Sequence, residues 1–163
     1  MAQGMMHGGE QPMDKPVIED IRDFRLISPN LGTSGMPREE HIPAIRAAGF
    51  DVVINLALTT SEGAIPHESN LVTREGMAYF QIPVQFQAPS IADFDLFCGL
   101  MRACEGRRIF VHCAANKRVS AFVYLYRVLR QGVSEEQARK DMHAIWQPDE
   151  VWSRFIAEQI ERR

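Results

Sequence analysis

Apolar residues in this chain alternate between short continuous runs and stripes of helical period. Val52 to Leu56 and Arg108 to His112 are compact apolar runs, as expected of strands buried on both faces. Ala78 to Val84 reads as a further strand, with Pro83 marking its end. Arg25 to Ile27 and Leu31 to Thr33 are short strands around the turn Ser28-Pro29-Asn30. Pro37 opens a helix that carries Ile42, Ile45 and Ala48 and stops at Gly49; Pro43 falls in its first turns, where proline is tolerated. Thr59 to Pro66 is a loop, and Glu68 to Arg74 is a short helix ended by Gly76. Ser90 with Asp93 starts a helix in capping-box style, with Phe94, Phe97, Met101 and Cys104 on one face. The segment from Arg118 to Arg130 is apolar nearly all round, which predicts a central, buried helix. Gly132 ends it. Ser134 and Gln137 begin another helix, and Pro148-Asp149 begin the last, with the stripe Trp152, Phe155, Ile156, Ile160.

Strands separated by helices predict an α/β fold: a mostly parallel central sheet with helices on both faces. The 163 residues suit one domain over 21–163, after a polar, Gly- and Met-rich tail over 1–20. The tail has no apolar core of a secretory signal, and no run of about 18 apolar residues suggests a membrane span. A net charge of −3 without a dense Lys/Arg face argues against nucleic-acid and anionic-membrane partners. Three cysteines, Cys98, Cys104 and Cys113, make no disulfide framework and no Cys-x-x-Cys metal pair. A reducing compartment, the cytoplasm, is the expected location. Cys104 fits the core face of its helix better than a reactive role.

Cys113 is different, because it ends the strand Ile109 to His112 and precedes the loop Ala114-Ala115-Asn116-Lys117-Arg118. A strand, a tight loop and a helix start aim successive backbone N–H groups at one small volume, which suits an oxyanion such as phosphate. The same field favours the nucleophilic thiolate form of Cys113. In open parallel sheets ligands bind at the C-terminal ends of strands, where Cys113 falls. Arg118 offers a planar fork for two phosphoryl oxygens, and Lys117 adds charge at the rim. Ser120, in the first helical turn, is placed to donate to the cysteine sulfur as it leaves a thiophosphate. Asn116 suits a loop position of positive φ. His112 points to the other side of the strand from Cys113, so it is read as support for the loop.

These residues resemble the active-site loop of the cysteine-dependent protein tyrosine and dual-specificity phosphatases: His-Cys, five variable residues, Arg, then Ser or Thr. The stretches Ser28 to Pro37, Ala48 to Leu56 and Ile82-Pro83-Val84 are similar to the bacterial beta-lactamase-hydrolase-like phosphatases, a branch of that superfamily. The resemblance spans about Asp23 to Ala144 and implies a phosphatase fold, a thiophosphate on Cys113, and no metal or organic cofactor. Two departures stand out. Four residues separate Cys113 from Arg118, so Val119 fills the usual Arg position and Ser120 keeps the family's distance. Similar members share the shorter spacing, which implies a re-shaped loop. The family's general acid is an Asp after the Ile-Pro-Val strand, where this chain has Gln85-Phe86-Gln87-Ala88-Pro89; Gln cannot protonate a leaving group. Asp93 and Glu62 are the remaining, weak carboxylate candidates, and Asp93 is better explained by helix capping than by catalysis.

The expectation is a phosphate monoester hydrolase with Cys113 as nucleophile, Arg118 as clamp, Ser120 as thiolate stabiliser and residues 114–118 as cradle. The substrate is a phosphorylated compound of unassigned class, and the oligomeric state is open. Two rivals stand beside it. One is a pseudophosphatase that holds a phosphoryl group and turns it over weakly. The other is a rhodanese-type sulfurtransferase, which also uses a thiolate in a short strand-to-helix loop.

Overall fold

The computed structural model describes residues 15–163. Five strands, β1 (Arg25–Ser28), β2 (Leu31–Ser34), β3 (Val52–Asn55), β4 (Ala78–Gln81) and β5 (Ile109–His112), form one sheet in the order β1-β2-β5-β3-β4. Only β1 runs antiparallel, joined to β2 by the tight turn at Pro29; β2, β5, β3 and β4 are mutually parallel. Among the described residues, six α-helices accompany the sheet: α1 (Ile42–Ala47), α2 (Glu68–Arg74), α3 (Ile91–Ala103), α4 (Lys117–Arg130), α5 (Glu135–Ile145) and α6 (Glu150–Glu161).

The period of two along the central strands sorts the core into two layers. Val52, Ile54, Ile109 and Val111 face one way and pack with Phe94, Phe97, Val119, Phe122, Trp152 and Phe155 of α3, α4 and α6. Val53 and Phe110 face the other way and meet Ile42, Ile45 and Val72 of α1 and α2, together with Phe50 and Ile21. Helices therefore cover both faces, as the alternation of strands and helices predicts. α4 is buried along most of its length, as its apolar circumference requires. The caps expected at Ser90, Ser134 and Asp149 form: each side chain accepts the N–H three residues on. Across the sheet end, the Asp141 carboxylate takes Arg25 of β1 on one oxygen and Arg127 of α4 on the other, both near 2.6–2.9 Å, tying α5 to both elements.

Some boundaries differ from the sequence reading. Pro37 does not open a helix: Arg38 is extended, Glu39–His41 form a 3-10 turn, and the α-helix starts at Ile42 with Pro43 in its first turn. The His41 ring accepts the Arg38 N–H at 2.9 Å and so caps the 3-10 turn ahead of the helix. β4 ends at Gln81 rather than Val84. Beyond it Ile82 and Val84 still donate to Asn55 and Leu56, but Pro83 between them has no N–H and breaks the ladder. Most of the tail read over 1–20 lies outside the described residues. In its described part, Ile18–Asp20 form a 3-10 turn, and Ile18 packs against the second core layer. No helix among the described residues is long and apolar enough to cross a membrane.

Candidate active site

β5 lies at the centre of the sheet, with β2 on one side and β3 on the other, and it delivers His112 and Cys113 to their C-terminal edge. The alternation that splits the core also splits this pair. His112 continues the side of Phe110, towards α2, and Cys113 continues the side of Val111, towards α4. Both are fully buried.

After Cys113 the chain turns through Ala114 and Ala115 into α4. Asn116, the residue before the helix, has φ 60°, the left-handed conformation that Asn accepts more readily than most residues. Its amide holds it there by donating to Asp23 O at 2.9 Å and Thr33 Oγ1 at 3.1 Å, both on the β1–β2 side. The end of β2 presses on the loop at Gly35, where a Cβ would stand 2.7 Å from Ala114 O. Glycine is required there for the backbones to approach, and Met36 N–H then donates to Ala114 O at 2.9 Å. Among the described residues, the N–H groups of Ala114, Ala115, Lys117, Arg118 and Val119 donate to no protein acceptor. The last three are the unsatisfied donors of the α4 N-terminus, where the helix dipole adds positive potential. A bend of free N–H groups against a cysteine at a strand end has the donor geometry that suits an oxyanion.

The charged and hydroxyl side chains of the loop take separate directions. Lys117 is exposed, with its ammonium 5.5 Å from the centre of the Trp146 ring. Arg118 is buried and donates from Nη1 to Val84 O at 2.9 Å, so its guanidinium lies between α4 and the segment after β4. Ser120 Oγ donates to Lys117 O and accepts from the Trp146 indole, both at 3.0 Å. Trp146, at the end of α5, leans on Phe86, which also meets Trp152; the Trp152 indole donates to Phe86 O at 2.7 Å. An aromatic wedge thus fixes the Gln85–Ala88 turn beside the loop. No carboxylate stands in that turn, and Gln85 is exposed. Asp93 sits in the first turn of α3, its N–H on the Ser90 cap, and Glu62 is exposed in the loop after β3.

On the other face His112 meets a partner that the sequence reading missed. Its Nε2 lies 2.7 Å from Glu68 Oε2, and Glu68 is itself buried. Glu68 is the first residue of α2; His67 before it, at φ 58°, turns the chain so that the carboxylate enters the sheet end. The Tyr79 hydroxyl of β4 accepts from Asn55 Nδ2 at 3.1 Å, and Asn55 Oδ1 in turn accepts the Ala57 N–H at 2.8 Å. Burial, and then the nearby Glu68 charge, push the Tyr79 phenol up to about 12, so its proton stays in place. Asn55, Glu68 and Tyr79 line a cleft of about 330 Å³ at the ends of β3 and β4. The sequence signal available for Glu68 was a lone acid opening a short helix, which normally reads as a dipole partner.

The family model described as a DSP-PTPase phosphatase fused to NAD+ kinase matches residues 30–154. A solved structure from Shewanella putrefaciens CN-32, named as a candidate phosphatase (DUF442), is 36% identical over 89% of this chain and 95% of its own, with a TM-score of 0.80. The core catalytic domain of the PP-IP phosphatase SIW14 from S. cerevisiae shares the fold: 18% identity, 90% and 93% coverage, TM-score 0.70. Tk-PTP in its active form aligns at 20% identity over 86% of this chain and 98% of its own, with a TM-score of 0.72. Among curated proteins nothing matches. The family match takes in every strand of the parallel sheet and the whole of the cysteine loop, and the chain belongs to this family of cysteine-dependent tyrosine and dual-specificity phosphatases.

Proposed function

We propose that the protein hydrolyses phosphate monoesters through a covalent thiophosphate on Cys113. The observation that carries this reading is the set of five free backbone N–H groups curled next to that cysteine at the start of α4. The phosphoryl group seats its oxygens on those donors, and the Cys113 thiolate attacks phosphorus in line with the ester oxygen. The P–O bond breaks, and the alcohol leaves with a proton from solvent. Water then attacks phosphorus, the P–S bond breaks, phosphate departs and the thiolate is restored. Arg118, anchored at Val84 through one nitrogen, turns the rest of its fork to the equatorial oxygens. Lys117 adds charge at the rim. Ser120 swings its hydroxyl hydrogen from Lys117 O to the departing sulfur. The exposed Gln85 in the acid's usual segment limits turnover to esters with good leaving groups. Three cysteines, all free, suit a reducing bacterial cytoplasm.

The pseudophosphatase reading has its own support: Cys113 is fully buried, and both Arg118 and Ser120 are engaged elsewhere. Turnover of p-nitrophenyl phosphate by the wild type and by Cys113→Ser separates the two. Hydrolysis that disappears in Cys113→Ser supports the enzyme. Phosphate binding, seen as protection of Cys113 from alkylation, without hydrolysis of any ester leaves only a binder. Release of thiocyanate from thiosulfate and cyanide would instead indicate the sulfurtransferase.

A further inference from the structure

The buried His112 ring is flanked by two groups that accept hydrogen bonds. Nε2 faces the Glu68 carboxylate at 2.7 Å, and Nδ1 faces Cys113 O at 3.3 Å. A ring nitrogen gains from an acceptor only when a hydrogen lies between them. Nδ1 therefore carries a hydrogen towards Cys113 O, and a second hydrogen lies between Nε2 and Oε2, on whichever atom holds it. Glu68 makes this arrangement possible in a dry site: each group gives the other a hydrogen-bond partner, whereas either alone would leave a buried polar atom unmatched.

The consequence falls on the loop. In a trans peptide the C=O and the following N–H point in opposite directions. Drawing Cys113 O outward to the His112 ring turns the Ala114 N–H inward. The next peptide is held in the same sense, because Ala114 O accepts from Met36 N–H and the Ala115 N–H then faces the other way. Two of the five free donors are thus aimed by contacts outside the loop, one through β2 and one through α2.

We propose that Glu68 is a positioning residue, which through His112 holds the Cys113–Ala114 peptide in the orientation that makes the cradle. The proposal rests on Cys113 being the anion-site nucleophile. It assigns to α2, 44 residues upstream, a part in the chemistry of β5. Glu68 touches neither substrate nor sulfur.

The test is the pH profile of Cys113 alkylation by iodoacetamide, read by peptide mass in the full chain, with Cys98 and Cys104 as internal references. Inorganic phosphate serves as the protecting ligand. Glu68→Ala is expected to slow alkylation at pH 7 by about tenfold, one pH unit's worth of thiolate, and to weaken phosphate protection by about as much. Glu68→Gln, whose amide can hold Nε2 from either of its atoms, is expected to restore most of both. A folded Glu68→Ala with the wild-type profile and protection overturns the proposal. If Glu68→Ala does not fold, nitrogen-15 spectra of histidine in the wild type decide: a hydrogen on His112 Nδ1 supports the proposal, and a bare Nδ1 overturns it. Failure of the underlying reading looks different. Wild-type Cys113 would then label no faster than Cys98 and Cys104, with no protection by phosphate, whatever the histidine spectra show.

Discussion

Arg118 combines a structural contact with a proposed chemical one, and two substitutions separate them. Its Nη1 donates to Val84 O, and Val84 is fully buried. Arg118→Ala leaves that carbonyl without a donor in an apolar surround, which costs about 1–3 kcal/mol of folding stability. The buried aliphatic stem adds some lost packing. The chemical contact is independent of this sum. A donor fork that meets charge spread over the equatorial phosphoryl oxygens contributes roughly 3 kcal/mol in the transition state, about a hundredfold in rate. Arg118→Lys replaces the planar fork with a single ammonium nitrogen, three rotatable donors at one point on a flexible stem. One nitrogen does not span Val84 O and the phosphoryl oxygens as the fork does, so the variant should retain stability to within about 1 kcal/mol while losing at least tenfold in turnover. The measurements are kcat/KM on p-nitrophenyl phosphate and the urea midpoint for each variant. If folded Arg118→Ala turns over at the wild-type rate, the clamp assignment is wrong and Lys117 with the backbone must suffice. If both variants lose activity only in proportion to stability, Arg118 is a strut between α4 and the segment after β4.

Gln85→Asp should raise the rate on phosphoserine, a poor leaving group, by roughly tenfold or more, and leave p-nitrophenyl phosphate nearly unchanged; equal changes on both esters would remove the general-acid explanation. Gly35→Ala should destabilise the fold by about 1–3 kcal/mol and weaken phosphate protection of Cys113, since the new Cβ meets Ala114 O at 2.7 Å and displaces the loop; wild-type unfolding and protection would show that the loop tolerates a shifted β2. Burial, followed by the Arg38 charge, lowers the affinity of the His41 ring for a proton below that in the unfolded chain. Stability from this site should therefore be full above pH 6.5 and fall as pH drops below it, where the unfolded chain takes up the proton first. Urea midpoints from pH 7 to pH 5 should slope less in His41→Leu, and an unchanged slope would move the effect to other groups.

Local chemistry was enough to read much of this protein from its residues. The apolar runs at Val52 and Ile109, the caps at Ser90, Ser134 and Asp149, and the unbroken apolar helix after Arg118 each depend on neighbours within a few positions, and each formed as expected. The same locality placed Cys113 at a strand end with Asn116 in a left-handed turn, and the period of two along β5 separated His112 from Cys113. The helix expected from Pro37 failed because a side chain cap from His41 favours an extended Arg38 and a 3-10 turn, a competition that apolar spacing does not register.

What the residues could not state was direction and partnership at a distance. Adjacency alone groups Arg118, Lys117 and Ser120 around one anion. The contacts that hold Arg118 and Ser120 in the fold, to Val84 and Trp146, come from segments 34 and 26 residues away. Glu68, 44 residues before His112, carries no mark in the sequence of what it meets. Sequence determined which atoms lie along each strand and turn, because backbone geometry is set by near neighbours. The packing of α2 and α5 against the sheet decided which of those atoms meet, because a buried polar group finds its partner only when distant segments close around it.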